Sequence, residues 1–415
     1  MGTPSARFVL QRVRPGTRPT WPPKCNANAI SPTTLPRATR TSPIAAIIQV
    51  VALVLAGKAH VKTTLTVIGC VVAAGILAAL MSRADPAATW AAVSYAGPLA
   101  FTAVIPFGIG LTADAIGLLV MVRALGHDTR LRQVLPVRLA SEALHISIPA
   151  GFVASDTATA MMLQSRCGVP LRDGVVASIG RKWLVMRAHA AYIVVGALAG
   201  FHALVILSRA LIGGTSLPWI VAASSLIPLS LSVALGAGLL GKSTFSRLHG
   251  LLARIPSRRL RRWLESRRDD ATLTDSQAAR LRTTPGATTR ATLAFVVTWT
   301  FEALESALLL RLVGVHIDLG AVFAIEAGLS LVRSAVVIAP SGLGVVDLGY
   351  ATVLPMLGAD AGGAPAFVLL KRAKEVVWVL AGYAVLAAWR TPLPARDPAT
   401  TPTPAPAAVE ISAAT

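Results

Sequence analysis

The chain has 415 residues, of which 54% are hydrophobic and 14% are charged, and its mean hydropathy is +0.64. A soluble domain carries about a quarter charged residues, so this composition excludes an ordinary soluble protein and indicates a polytopic α-helical membrane protein. The net charge of +20 does not indicate nucleic-acid binding, because most Lys and Arg fall in the tails and one loop, as positive-inside bias explains.

The N-terminal region is predicted to lie outside the membrane. Residues 1–43 are basic, rich in proline and free of Asp and Glu, without the apolar core of a cleavable signal peptide, and we expect a disordered cytoplasmic arm. Residues 44–61 contain an apolar stretch too short to span, which favours an interfacial segment. The spacing of Cys25, Cys70 and Cys167 predicts neither a disulfide framework nor a metal site.

The remaining chain divides into two membrane halves, 62–240 and 291–390. The basic segment between them, 241–290, has 12 Lys or Arg against 4 acidic residues and is predicted to be a cytoplasmic loop. The Pro/Thr/Ala-rich tail, 391–415, is predicted to be disordered. About six full spans are expected, with these ranges: 62–82, 89–122, 175–207, 217–240, 291–313 and 365–389.

Two short motifs repeat at an offset of 191 residues within apolar sequence. Pro149-Ala150-Gly151 precedes Asp156, and Pro340-Ser341-Gly342 precedes Asp347 at the same distance. Two similar halves, each with a hydrophobic segment broken by Pro and Gly, are typical of a transporter whose site lies between the repeats. Further pairs at this offset are Arg181 with Arg372, and the acidic residues Asp114 with Glu305.

The motif segments, 134–165 and 321–357, are expected to approach the membrane from opposite sides. Loops beside the first contain arginines and are predicted to be cytoplasmic, whereas loops beside the second contain neither Lys nor Arg and are predicted to be external. Both segments would then be broken, re-entrant helices of an inverted repeat, with both termini in the cytoplasm. The alternative makes each segment a pair of full spans.

Charged side chains on these segments are the candidate site, which we expect to bind an anionic lipid headgroup through cations and free backbone N–H groups. Glu142 and Arg333 are equivalent at the repeat offset and are predicted to pair, because each charge at the membrane centre costs about 2.5–3.5 kcal/mol. The other candidates are Asp156, Asp347, Arg372 and Arg181, then Glu302, Glu305 and Glu326; the predicted helix breaks are Pro149, Gly151, Pro340 and Gly342.

Simpler interpretations of the same charges remain open. Arg138 with Glu142, and Lys371 with Glu375, are spaced to neutralise each other within one helix. Arg181, near the start of its helix, would then only extend to the membrane interface.

The stretch Ala339-Pro-Ser-Gly-Leu-Gly-Val-Val-Asp347, with Arg372 in Leu-Leu-Lys-Arg, resembles the transmembrane region of the lysylphosphatidylglycerol synthase family. This flippase-like domain also occurs in stand-alone bacterial and archaeal membrane proteins. The resemblance covers about residues 60–390 and is looser in the first half, and Asp347 stands where glutamate is usual. It implies lipid translocation or handling; without an aminoacyl-transferase domain, lysyl transfer is not expected.

The sequence therefore predicts an integral cell-membrane protein that moves or handles an anionic or isoprenoid-type lipid between leaflets. No catalytic activity, cofactor, metal or nucleic-acid partner is expected. A membrane-embedded transferase for a lipid-linked sugar is one alternative, although 241–290 offers only Asp269-Asp270 and no Asp-x-Asp pattern. A non-transporting partner subunit is the other, in which the repeat would be a relic of the fold.

Overall fold

The computed structural model describes residues 84–148, 151–240, 268–335 and 340–389, with isolated positions between 75 and 82. Helices fill most of these ranges and no strand occurs within them, so the all-α class is confirmed. The predicted arm, the interfacial segment, most of the 62–82 span and the C-terminal tail lie outside the described residues.

The first group of helices begins at a capped N-terminus. Asp85 accepts hydrogen bonds from the amides of Ala87 and Ala88 at 2.9 and 3.2 Å, and Pro86 occupies the first helical position. The helices are α1 Pro86–Ala96, α2 Val104–Ala124, α3 Leu131–Ser147, α4 Gly151–Cys167 and α5 Leu171–Ala199, with a 3₁₀ segment Gly97–Ala103 joining α1 to α2.

Four further helices separate this group from the last. They are α6 Phe201–Ile212, α7 Leu217–Ser224, α8 Leu226–Leu240 and α9 Arg268–Thr283. The predicted loop 241–290 therefore includes a helix, α9, which packs against α5 and α8 and buries Ala278 and Leu281.

The last group comprises α10 Ala287–Leu312, α11 Leu319–Ala335, α12 Val345–Met356 and α13 Gly363–Ala388, with a 3₁₀ turn Pro340–Gly342 before α12. Each motif segment is thus a pair of helices, α3 with α4 and α11 with α12, and the members of each pair pack against each other. A Cβ atom on Gly151 would lie 2.3 Å from the carbonyl oxygen of His145, so the first turn requires glycine.

Three helical segments of the described chain are long and apolar enough to cross a membrane: Pro86–Ala124, Leu217–Gly238 and Ala287–Leu312. The pair α5 and α6, bent by 81°, would make a fourth. The prediction of about six full spans is therefore wrong as a count. The segment 175–207 is bent rather than straight, and α13 carries four charges within its 26 residues.

The two groups pack through matching helices. α2 runs antiparallel to α10, because Thr298 Oγ1 donates to the carbonyl oxygen of Gly110 at 3.0 Å, while Thr284, earlier in the chain, reaches that of Ala124 at 3.5 Å. α3 packs against α13, and α5 packs against α11. Small residues allow these approaches, since a Cβ on Gly382 would lie 2.4 Å from the Cβ of Ala143.

Candidate functional site

Six charged residues of α2–α5 form what we call the first charge cluster. Its centre is Asp114 on α2, which is 5% exposed. Arg138 Nε donates to Asp114 Oδ1 at 2.8 Å, and Arg181 Nε donates to the same oxygen at 2.7 Å. The cluster has three carboxylates and three cations: Asp114, Glu142 and Asp156 with Arg138, Arg181 and Lys182.

The remaining pairs of the first cluster lie nearer its surface. Arg138 Nη2 donates to Glu142 Oε2 at 2.8 Å, within one helix. Lys182 Nζ lies 3.2 Å from Asp156 Oδ2, and each of these two side chains is about a quarter exposed. The cluster therefore has a buried centre at Asp114 and a partly exposed ion pair that joins α4, the helix after the Gly151 turn, to α5.

Nine charged residues of α10–α13 form the second charge cluster. Glu326 on α11 is buried, and its Oε1 accepts hydrogen bonds from Ser306 Oγ at 2.5 Å, Tyr350 Oη at 2.6 Å and Lys371 Nζ at 3.0 Å. The members are five carboxylates, Glu302, Glu305, Glu326, Asp347 and Glu375, and four cations, Arg333, Lys371, Arg372 and Lys374.

Glu305 is the most deeply buried carboxylate of this cluster, with a side chain that is 0% exposed. Lys374 Nζ donates to its Oε1 at 2.6 Å. Its Oε2 is buried without a hydrogen-bond partner within the described residues. Buried polar atoms are almost always paired, so this oxygen requires an explanation.

The second helix break lies next to the cluster. Ser341 has φ 52°, and it is the one non-glycine residue with positive φ in the described ranges, which stores backbone strain. Gly342 follows with φ 67°, and a Cβ there would lie 3.2 Å from Arg333 Cγ. Arg333 in turn binds Glu302, and both side chains are about a quarter exposed.

Asp347 caps a helix and also forms an ion pair within the cluster. Its Oδ2 accepts the backbone N–H of Gly344 at 2.8 Å, which caps the first turn of α12. Its Oδ1 accepts Arg372 Nε at 2.9 Å, and Arg372 also donates to Glu375 Oε2 at 2.5 Å. The charge at Asp347 therefore stabilises a helix start as well as neutralising an arginine.

Two predicted pairings are wrong. Glu142 and Arg333 do not pair with each other: Glu142 accepts from Arg138, and Arg333 donates to Glu302 on α10. Arg181 binds the buried Asp114. Lys371 contacts Glu326 rather than Glu375, whose partner is Arg372. The local pairing of Arg138 with Glu142 is confirmed.

The structure brings the predicted site residues into two groups rather than one. Glu142, Asp156 and Arg181 lie in the first cluster; Arg333, Asp347, Arg372, Glu302, Glu305 and Glu326 lie in the second. Gly151 begins α4, Pro340 and Gly342 form the 3₁₀ turn, and Pro149 lies outside the described residues.

Several central residues were not among the candidates. Asp114, Arg138, Lys371 and Lys374 each make a buried ion pair. The repeat offset offered a signal for one of them, because Asp114 aligns with Glu305. Lys371 and Lys374 could have been found because they are charged residues in an otherwise apolar helix.

An apolar groove of about 540 Å³ lies on the surface of α2 beside the second cluster. It is lined by Ile105, Gly108, Ile109, Thr112, Ala113, Ile116, Val297 and Trp378. The Trp378 ring lies 5.3 Å from that of Phe107, and Lys374 Nζ lies 4.4 Å from the centre of the Phe107 ring. Two aromatic rings thus connect the groove to the Lys374–Glu305 pair.

No group of three or more His, Cys, Asp and Glu residues able to hold a metal ion occurs within the parts of the chain that the structure describes. The two clusters consist of paired acids and bases with a few hydroxyl donors. Arg181, Arg333 and Arg372, which we expected to face an anion, are each bound by a carboxylate. An anionic ligand would have to displace one of these partners.

Comparison with known proteins gives one family. The family model described as lysylphosphatidylglycerol synthase TM region matches residues 66–382, which is more than half of the chain and includes both charge clusters. No curated protein and no solved structure matches the chain. The family is a membrane domain related to lipid handling. The chain therefore belongs to the lysylphosphatidylglycerol synthase TM region family, as the motif around Asp347 and Arg372 predicted.

Proposed function

We propose that this protein moves an anionic or isoprenoid-type lipid between the leaflets of the cell membrane. The observation that carries the proposal is the apolar groove on α2, which meets a charge cluster through Phe107 and Trp378. A lipid has the same two parts, an apolar tail and a charged headgroup. The groove would hold the tail, and the second cluster would hold the headgroup.

The Arg333–Glu302 pair is the best position for the headgroup. It is partly exposed, whereas Glu326 and Glu305 are buried deeper in the same cluster. Arg333 also packs against Gly342 at the strained turn, so a change in the turn would move the arginine. An arginine presents a fork of N–H donors that suits phosphate. We infer that a phosphate exchanges with Glu302 as the partner of Arg333.

An inverted repeat is part of the proposal. The offset of 191 residues pairs α2 with α10, α3 with α11, α4 with α12 and α5 with α13. The packing agrees with these pairs: α3 contacts α13, and their counterparts α11 and α5 also contact each other. α2 and α10, which are equivalent, run antiparallel, as helices related by an axis in the membrane plane must.

Helix length supports re-entrant motif segments. α4 has 17 residues and α12 has 12. At 1.5 Å per residue these helices measure about 25 and 18 Å, less than the roughly 30 Å of a bilayer core. We propose that both helix pairs turn back within the membrane, that both termini are cytoplasmic, and that the protein performs no covalent chemistry on the lipid.

The test is a leaflet-exchange assay on purified protein in phosphatidylcholine vesicles. The probes are fluorescent phosphatidylglycerol, fluorescent polyprenyl phosphate and, as a neutral reference, fluorescent phosphatidylcholine; added dithionite bleaches only the outer leaflet. Wild type should expose inner-leaflet probe of at least one anionic class faster than phosphatidylcholine. Equal rates for all three probes, or no exchange, would overturn the proposal and favour the partner-subunit interpretation.

A pair of matched variants tests the groove. Ile109→Trp fills it, and we expect anionic probe exchange to slow several-fold. Ile227→Trp places the same bulk at an exposed position of α8, which packs against α5 and α9 and contributes nothing to the groove lining. It should exchange lipid like wild type. If both variants slow exchange equally while both remain folded, the groove is not the tail site.

A further inference from the structure

The second charge cluster contains one more carboxylate than it has cations. Five carboxylates and four cations give a net charge of −1 when all are ionised. In the first cluster three carboxylates face three cations, and the sum is zero. An uncompensated charge at membrane depth is costly, so the second cluster needs one additional positive charge.

The environment of Glu305 indicates where that charge resides. Lys374 occupies Oε1, whereas Oε2 is buried without a partner in the described residues. An ionised oxygen in that position would lose its hydration without gaining a donor, which costs far more than burying a neutral carboxylic acid. A proton on Oε2 removes this cost and occupies almost no volume.

Within the described residues, the neighbouring helices do not offer Oε2 a cation. On α13, Lys374 is directed to Oε1 and Lys371 to Glu326; on α11, Arg333 is directed to Glu302. The acidic residue of α2, Asp114, is held by Arg138 and Arg181, and the 3₁₀ segment before α2 has no titratable side chain. On α5, His189 Nε2 lies 2.7 Å from Ser330 Oγ, and its ring stacks on Trp299.

We propose that Glu305 carries an exchangeable proton, and that anionic lipid binding and protonation of this cluster are coupled. The coupling follows from charge: a monoanionic headgroup beside the ionised cluster would bring its net charge to −2, and a proton on Glu305 returns it to −1. Two ligands of opposite charge in one cluster each increase the binding of the other. The proton comes from water and returns to it. This inference extends the proposed function by naming the coupling ion.

Infrared spectroscopy of purified protein in a maltoside detergent, which contains no carbonyl group, tests the inference without measuring transport. Wild type should show the carbonyl stretch of a protonated carboxylic acid, which loses intensity on alkalinisation and shifts in heavy water. Glu305→Gln should lose this band, and the control Asp156→Asn, which removes a carboxylate of the first cluster and leaves the charges of the second unchanged, should keep it. An absence of the band from wild type, or its persistence in Glu305→Gln, would overturn the assignment.

The coupling is tested with dodecyl phosphate, an anionic amphiphile without a carbonyl, against dodecylphosphocholine. At a pH where the band is half its maximum, dodecyl phosphate should increase its intensity, and dodecylphosphocholine should not. An unchanged band would overturn the coupling. Because no lipid movement is measured, failure here leaves the leaflet-exchange result standing, and failure of exchange leaves the protonation of Glu305 standing.

Discussion

The helices α2–α5 and α10–α13 form two sets in which the helices occur in the same order along the chain. The charged residues buried within the two sets nevertheless differ. In the first cluster one carboxylate, Asp114, is bound by two arginines, and the charges balance. In the second, Glu326 accepts hydrogen bonds from two hydroxyl groups and a lysine, with Arg333 at 3.9 Å, and carboxylates exceed cations by one. Arginine holds its proton at any physiological pH, so the centre of the first cluster keeps its positive charges. In the second cluster we infer an exchangeable proton on Glu305.

The corresponding helix pairs α5–α10 and α13–α2 also pack with different closeness. The backbones of α5 and α10 lie close together, whereas those of α13 and α2 approach much less closely in the described structure and meet through long side chains. The groove lined by Ile109 and Trp378 occupies the space that results. The contact between α5 and α10 is therefore closed, whereas an open groove lies between α2 and α13.

The largest expected effect comes from breaking the first cluster at its centre. Asp114→Asn leaves Arg138 and Arg181 buried, with the neutral amide a poor substitute for the carboxylate. Breaking a buried ion pair by removing one partner costs about 3–5 kcal/mol. We expect a large loss of thermal stability, measured by the temperature at which the detergent-solubilised protein leaves the monodisperse peak in size-exclusion chromatography.

Glu305→Gln is the matched comparison at the equivalent position. If Glu305 is already protonated, the amide replaces a neutral group, and the stability should change far less than in Asp114→Asn. Equal losses for the two variants would mean that the clusters do not differ in the way their charges indicate.

A smaller effect is expected at the crossing of α3 and α13. Gly382→Ala places a Cβ 2.4 Å from the Cβ of Ala143 and 2.6 Å from the carbonyl oxygen of Leu139, so the helices must separate. Overpacking of this kind costs about 1–3 kcal/mol. The control is Gly328→Ala on α11, where no atom of the described residues lies within 4 Å of the new Cβ. A stability loss in the control as large as in Gly382→Ala would show that the crossing is not the cause.

These contrasts separate what the sequence predicts from what only packing determines. The all-α class and the positions of the two breaks follow from hydrophobic pattern, Pro and Gly. The family follows from the residues around Asp347. The number of spans could not be predicted in this way, because α13 contains charged residues. Their burial is tolerable only because they pair with residues on α10, α11 and α12. Similarly, the bend after α5 depends on Gly200 lying against the backbone of Gly320.

Pairing of charges was the least predictable feature. Glu142 had a partner one helical turn away, Arg138, and the local contact prevailed over the distant one with Arg333. Arg333 pairs with Glu302 on another helix. Their separation in the sequence does not predict this contact. Spacing therefore predicts which residues enter a polar interior, and three-dimensional packing decides which of them meet.

The smallest expected effect distinguishes the two motif aspartates. Asp347→Asn retains an oxygen for the Gly344 N–H but loses a buried, charge-assisted contact with Arg372, worth about 1.5–3 kcal/mol. Asp156→Asn loses a partly exposed pair with Lys182, worth about 0.2–1 kcal/mol. The difference between the variants should be about 0.5–3 kcal/mol, measured by the same chromatographic melting. An equal loss in both would mean that Glu375 alone satisfies Arg372, and that the buried aspartate acts only as a helix cap.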